Sequence, residues 1–457
     1  MPRPRTISPS LLLLCALIAV SACKSYPPLP LDSGASYSLT SDSPRILEQA
    51  QPQLSMEQKL DWAVGKSFAN QAWVSAPAST RARDGLGPLF NANSCVACHQ
   101  HNGQGQLPEH GPGLILRIAT SGANHNAYGE QLQDHALLGS QAEGQIGWRD
   151  IASPGLASSH QANLSHRQYF IEQARYGDTN SMAFSARLAP ALIGMGLLDR
   201  ISDELLIKRS DPEDRDRNGI SGRAALRWDE QQQKLRPGRF GWKASQASLK
   251  QQVALAFSQD LGIRSTIYSA PNCPPSVPSC DHEFALSQNP EPEISAKLLN
   301  AVTHYIANLA VPSIQNTPDL QAGYQLFIKL GCANCHIPAT EINTAAVGLQ
   351  ASLTSVTMQK ETIYPFSDLL LHDMGPGLAD SAATDNTPAA EWRTAPLWGL
   401  GMRSRDDTQT RLLHDGRANS IKEAIHWHGG EAEGSLQNYQ QLDSHSQTTL
   451  LNFLKAL

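Results

Sequence analysis

The chain is 457 residues long, with a formal net charge of −6, a pI near 6.2 and 40% hydrophobic residues. The acidic balance leaves no footprint for nucleic acid and no patch for holding an anionic membrane surface, while the apolar content suffices for two domains. With 33 Gly and 29 Pro, long loops are expected.

At the N-terminus, Arg3 and Arg5 precede an apolar run from Leu11 to Val20 that is too short to span a bilayer as a mature helix, so residues 1–22 read as an export signal. The run ends in Val20-Ser-Ala-Cys23, which resembles a bacterial lipobox and implies acylation of Cys23 after cleavage. The mature protein is expected in the periplasm, held by lipid alone, and Lys24 after the cysteine resembles outer-membrane sorting. Residues 23–45, with Tyr26-Pro-Pro-Leu-Pro, read as a flexible tether.

Helical periodicity covers 56–69, 168–176, 189–200, 249–258, 294–309, 321–330, 421–427 and 446–457, and sustained strand alternation is nearly absent. The expected class is therefore mainly α. Pro312 and Pro318 interrupt two helical patterns, which divides the chain into 46–315 and 316–457.

Each half holds one Cys-x-x-Cys-His motif, Cys95-Val-Ala-Cys98-His99 and Cys332-Ala-Asn-Cys335-His336. Two thiols one helical turn apart can each add to a haem vinyl group, and the adjacent histidine reaches the iron. One copy alone could be a zinc half-site or a redox pair; two copies with both histidines point to two covalently bound haem c groups.

Between the motifs, Asp214, Asp216, Asn218 and Gly219 match positions one, three, five and six of a calcium loop, but position twelve is Ala225, so the segment is a candidate Ca2+ site or an exposed acidic turn. Cys273 and Cys280 bracket Pro-Pro-Ser-Val-Pro-Ser; a local disulfide is expected of an exported protein, a free pair being the alternative.

The halves also repeat one another. Arg187-Leu-Ala-Pro matches Arg393-Thr-Ala-Pro, Gly241-Trp-Lys-Ala matches Asp415-Gly-Arg-Ala, and Ser248-Leu-Lys-Gln-Gln-Val matches Ser420-Ile-Lys-Glu-Ala-Ile. Continuing the last pairing sets His428 opposite Ala256. If His428 is the second axial ligand, the C-terminal iron is capped by His336 and His428 and suited to electron transfer, whereas the N-terminal iron on His99 keeps an open face. His426 as ligand, or a surface role for His428, remains the alternative.

Tyr364-Pro-Phe-Ser-Asp-Leu-Leu-Leu-His-Asp-Met-Gly and His414-Asp-Gly-Arg resemble the C-terminal domain of bacterial di-haem cytochrome c peroxidases and methylamine-utilisation di-haem enzymes. Arg239-Phe-Gly-Trp-Lys-Ala, Glu391-Trp-Arg-Thr and Trp427-His-Gly-Gly-Glu-Ala carry a closer resemblance to the di-haem oxidoreductase family, also labelled thiol oxidoreductases. The resemblance implies two cytochrome c-like haem domains with long loops and insertions, electron passage between haems, and a distal acid-base group that helps cleave an O–O bond. Where the peroxidases have an axial methionine, this chain has His428, which puts their electron donor in doubt. Glu143 and Gln145 are the distal candidates, Trp148 and Trp242 the candidate relays between haems, and His101, His110, His125 and His135 the histidines able to close the N-terminal haem in a resting state. The expected partners are hydrogen peroxide or a similar small oxidant and a redox protein. Two other readings are an electron-transfer lipoprotein without turnover and an oxidase of a partner protein or metal ion.

Overall fold

The computed structural model describes residues 28–41, 43, 45–119, 125–152, 164–180, 182–274, 277, 291–344, 360–381, 383–403 and 410–457. The export signal, Cys23 and Cys280 lie outside the described residues. Cys273 is disulfide-bonded, while Cys95, Cys98, Cys332 and Cys335 are free.

Six helices frame the two halves: α1 (Met56–Asn70), α2 (Leu249–Leu261) and α3 (Ala296–Ala307) in the first, and α4 (Leu320–Lys329), α5 (Ile421–His426) and α6 (Ser444–Ala456) in the second. Five of them start within two residues of where the periodicity places them, each behind a cap: Ser55, Ser248, Ser295, Ser420 and Asp443 accept a hydrogen bond from the amide three residues on, satisfying an otherwise orphaned donor.

The two halves are built alike. In each, the first and last helices cross at a glycine, since a Cβ on Gly65 of α1 would collide with the Ala301 carbonyl of α3, and one on Gly323 of α4 with Phe453 of α6. A short turn of helix then rests on the end of the last helix through another glycine: Met195–Asp199 through Gly196 on Ala307, and Leu400–Arg403 through Gly401 on Lys455. Both turns are entered through glycines with left-handed backbone, Gly194 (φ 70°) and Gly399 (φ 68°).

The mainly α expectation is corrected: helix makes up 31% and strand 18%, with seven two-stranded sheets among the described residues. The largest hairpin pairs Gln145–Ala152 with Ser165–Glu172 and absorbs most of the stretch read as a helix over 168–176. Tyr169 and Ile171 are buried and Gln168 and Glu172 exposed, so the run obeys a period of two, and its aromatic and β-branched content suits a pleated surface. The helix expected over 189–200 shrinks to Met195–Asp199 because Pro190 and left-handed Gly194 interrupt it.

The described part of the segment read as a tether packs against the body. Ser38–Leu39 pairs with Val311–Pro312, Tyr37 is buried in the first core, and Leu29 in the second. The second core centres on Tyr324, Phe327, Phe366 and Phe453, whose ring contacts span 5.5 to 6.4 Å between centroids. No helix among the described residues is long and apolar enough to cross a membrane.

Candidate functional site: two haem cavities

Both Cys-x-x-Cys-His motifs open onto cavities. One of about 230 Å³ is lined by Cys332, Cys335, His336 and His428; another of about 210 Å³ is lined by Cys95, Cys98, His99 and Ala256.

In the C-terminal cavity, Gly331 (φ 89°) turns the chain into the 3-10 helix Cys332–Asn334 after α4, and the His336 amide donates to the Cys332 carbonyl at 3.0 Å. His336 Nδ1 sits 2.9 Å from the Phe366 carbonyl and His428 Nδ1 2.7 Å from the Ala424 carbonyl. Donation from Nδ1 leaves the lone pair on Nε2, the form in which imidazole ligates a metal. Burial pushes both rings toward neutrality, His336 down to about 4 and His428 also down, which suits ligation. The two rings lie 6.5 Å apart between centroids. Metal–imidazole bonds of about 2 Å, with ring centres roughly 1.1 Å behind each nitrogen, bring two axial imidazoles on one metal to about 6 Å. The pair fits a single iron between them.

In the N-terminal cavity, Cys95–Cys98 forms one helical turn and His99 Nδ1 lies 2.7 Å from the Pro190 carbonyl, so His99 is held as His336 is. Burial pushes His99 down as well. The opposing helix differs. α2 and α5 both start from a serine cap, and the eighth residue after it, from 248 to 256 and from 420 to 428, lines the cavity in each half; it is Ala256 in one and His428 in the other. One turn to either side of Ala256 on α2 stand Gln252 and Asp260, which also line the cavity. Gln252 Oε1 has no hydrogen-bond partner among the described residues. Burial raises Asp260 to about 6 although Gln131 donates to it at 2.7 Å.

A family model described as "Di-haem oxidoreductase, putative peroxidase" matches residues 168–457, more than half of the chain. The chain belongs to this di-haem oxidoreductase family. Membership supplies haem as the cofactor. No curated protein matches. The xenon-pressurised hydrazine synthase of Kuenenia stuttgartiensis aligns over 100% of each chain at 14% identity and a TM-score of 0.35, a likeness too loose to carry an argument.

Trp242, Pro190 and Arg393 line both cavities of this di-haem oxidoreductase. Trp242 Nε1 donates to the Leu188 carbonyl at 2.8 Å, and the Arg393 amide to the Trp242 carbonyl at 2.9 Å. Trp148 lies instead in the Gln145–Ala152 hairpin under the Arg167 guanidinium, 4.9 Å from its ring, and lines neither cavity.

The structure does not bring Glu143 or Gln145 to the N-terminal cavity. Glu143 is fully buried, accepting from the Gln133 amide at 2.7 Å, and Gln145 donates to the Asp134 carbonyl from an exposed position. His101 is exposed and bonded to Glu48, His110 is exposed, and His135 pairs with Asp134 and stacks on Phe90. The side chain of His125 lies outside the described residues.

In the calcium-like loop, Asp214 accepts from the amides of Asn218 and Gly219, Asp216 accepts from Asn218, and Asn218 Oδ1 from the Ile220 amide, so these oxygens close the turn on itself. Ala225 is buried. Sequence reasoning also missed Trp392 in the wall of the C-terminal cavity, stacked 3.6 Å from the His414 ring with the Lys243 ammonium 3.6 Å from its centroid. The three residues sit in three separate motifs that carry the family resemblance, but nothing in those motifs shows that they meet at the cavity wall. Sequence reasoning missed Gln252 and Asp260 too, although their four-residue spacing from Ala256 was a signal that could have found them.

Proposed function

We propose that this di-haem oxidoreductase carries two covalently attached haem c groups outside the cytoplasm, on a lipid-anchored chain, and reduces hydrogen peroxide or a similar small oxidant with electrons from a redox partner protein. The observation that carries the reading is the contrast between His428 and Ala256 at the same offset of eight residues from a serine cap, Ala256 within α2 and His428 two residues past the end of α5. An iron with a vacant axial face can take a small oxidant, while one held by two imidazoles passes electrons and excludes substrate.

Cys95, Cys98, Cys332 and Cys335 would tether the porphyrins and His99 and His336 would supply the proximal imidazoles, each aligned by a backbone carbonyl. His428 would close the second site. Ala256 leaves room at the first, where Gln252 offers an unpaired carbonyl oxygen to a bound hydroxyl and Asp260 a carboxyl able to hold or give a proton. Peroxide reduction takes up two electrons and two protons and releases two waters; Trp242, in the wall of both cavities, offers a packed aromatic path for the electrons.

Electron paramagnetic resonance on the purified ferric protein tests the reading. One high-spin and one low-spin haem are expected, with peroxide perturbing the former. Two low-spin signals, unmoved by peroxide in both the resting and the half-reduced protein, would identify an electron shuttle instead.

A further inference from the structure

We propose that Glu431, His372 and Asp368 form a fixed charge cluster, net negative, at the edge of the C-terminal cavity, which lowers the reduction potential of the haem held there. The inference rests on the reading that His336 and His428 bind that haem.

His372 stands on the strand Leu371–Asp373 with Nδ1 2.7 Å from Glu431 Oε2 and Nε2 2.9 Å from Asp368 Oδ2. A neutral imidazole has a single N–H, and two carboxylates can both accept only from the imidazolium. Burial alone would push His372 down, but its bonds to Asp368 and Glu431 work against that and raise it. Two carboxylates and one imidazolium leave one negative charge in excess.

That charge is locked in place. Glu431 also accepts from Ser221 Oγ at 2.7 Å, from the Ser221 amide at 3.1 Å and from the Asp373 amide at 3.3 Å. Ser221 follows the self-closed Asp214–Gly219 turn, so this segment of the first half serves to pin a carboxylate in the second. Asp368 Oδ1 is fixed by the Leu370 amide at 2.9 Å.

His372 and Glu431 both line the C-terminal cavity, and Cys335 Sγ, an anchor of the porphyrin edge, lies 3.7 Å from His372 Nδ1. Donor atoms of Cys335, Asp368 and His372 lie within 4.8 Å of one another, a spacing a cation could use. Both nitrogens of His372 are already spent on carboxylates, however, and haem attachment consumes the Cys335 thiol. The cluster therefore acts through its field, which water screens poorly at buried sites. One-electron reduction adds a negative charge beside one already present, with no ligand or proton having to move, so the ferric form is favoured. Arg393 and Arg209 also interact with Asp368, so the one negative charge is that of the three clustered side chains, and Glu431 is the member whose charge the test removes.

The test is a mediated redox titration of the full haem-loaded chain, following the low-spin haem band. Glu431→Gln should shift the ferric–ferrous equilibrium at a fixed potential about tenfold toward ferrous, a rise of about 59 mV for one electron. Asp368→Asn should move it the same way and serves if Glu431→Gln fails to load haem. Ser221→Ala, which removes a donor but no charge, should shift it less than Glu431→Gln. A low-spin wild type whose two carboxylate variants keep the wild-type potential overturns the charge assignment alone. A wild type without low-spin haem overturns the ligand reading first, and this inference with it.

Discussion

His336 and His428 face one another across the C-terminal cavity at 6.5 Å between ring centroids, and each is turned by a backbone carbonyl so that Nε2 points away from its own helix or loop. Replacing His428 by Ala should convert the C-terminal haem from low to high spin while leaving both haems bound, since the thiols proposed to tether them, Cys95, Cys98, Cys332 and Cys335, are unchanged. Resonance Raman spin-state markers check this. An unchanged spectrum would retire His428 as ligand, and a spectrum altered only by His426→Ala would move the role there.

The reciprocal substitution probes the open site. Ala256→His places an imidazole eight residues after the Ser248 cap, the position His428 holds after Ser420. The variant should show two low-spin haems and lose most of its reactivity with peroxide. A stopped-flow trace in which peroxide still perturbs the Ala256→His protein at the wild-type rate would place the reactive haem elsewhere.

These relationships were partly visible in the one-dimensional chain. The haem motifs, the serine caps and the offset of eight residues are local, and local hydrogen-bond chemistry sets where α2 and α5 begin. The hairpin of Gln145–Ala152 with Ser165–Glu172 was not visible because burial alternates only over Gln168–Glu172, too short a run to set the period, while the rest of both strands is largely solvent-facing. The His372 cluster was hidden for another reason: Glu431 is 59 residues from His372 in sequence, and Ser221 reaches Glu431 only from the other half of the chain.

Trp242 and Trp148 were equivalent as sequence candidates for an electron relay, and the structure separates them. Trp242 lines both cavities, whereas Trp148 is stacked under Arg167 on a hairpin. Trp242→Phe should slow electron equilibration between the haems by an order of magnitude or more in flash-reduction experiments, and Trp148→Phe should leave it unchanged. Equal rates in wild type and both variants would mean that electrons bypass the indole.

The glycine crossings predict a stability effect independent of redox chemistry. Gly65→Ala drives a methyl group into the Ala301 carbonyl and should destabilise by about 1 to 3 kcal/mol through forced separation of α1 and α3. Gly434→Ala, where a Cβ meets open space in the helix Glu433–Gln440, should be neutral or stabilising by up to about 1 kcal/mol. Thermal unfolding of the two variants side by side measures the difference.

Glu143 makes a pH prediction of determined sign. Burial lifts its carboxyl from 4.5 to about 8, against the lowering effect of the Gln133 amide, with Asp134 adding to the rise. Glu143 Oε1 and Gln133 Oε1 are both buried without a partner among the described residues, so a proton on Glu143 supplies a donor to a region short of them. Between pH 4.5 and about 8 the folded chain keeps a proton that the unfolded chain has released. This site's contribution to stability is thus complete below pH 4.5 and lost as pH rises, at about 1.4 kcal/mol per pH unit. Glu143→Gln should remove that slope, leaving the variant more stable than wild type above pH 8. Urea unfolding midpoints followed from pH 5 to 9 check this, and parallel profiles for the two proteins would show that Glu143 is already ionised in the folded state.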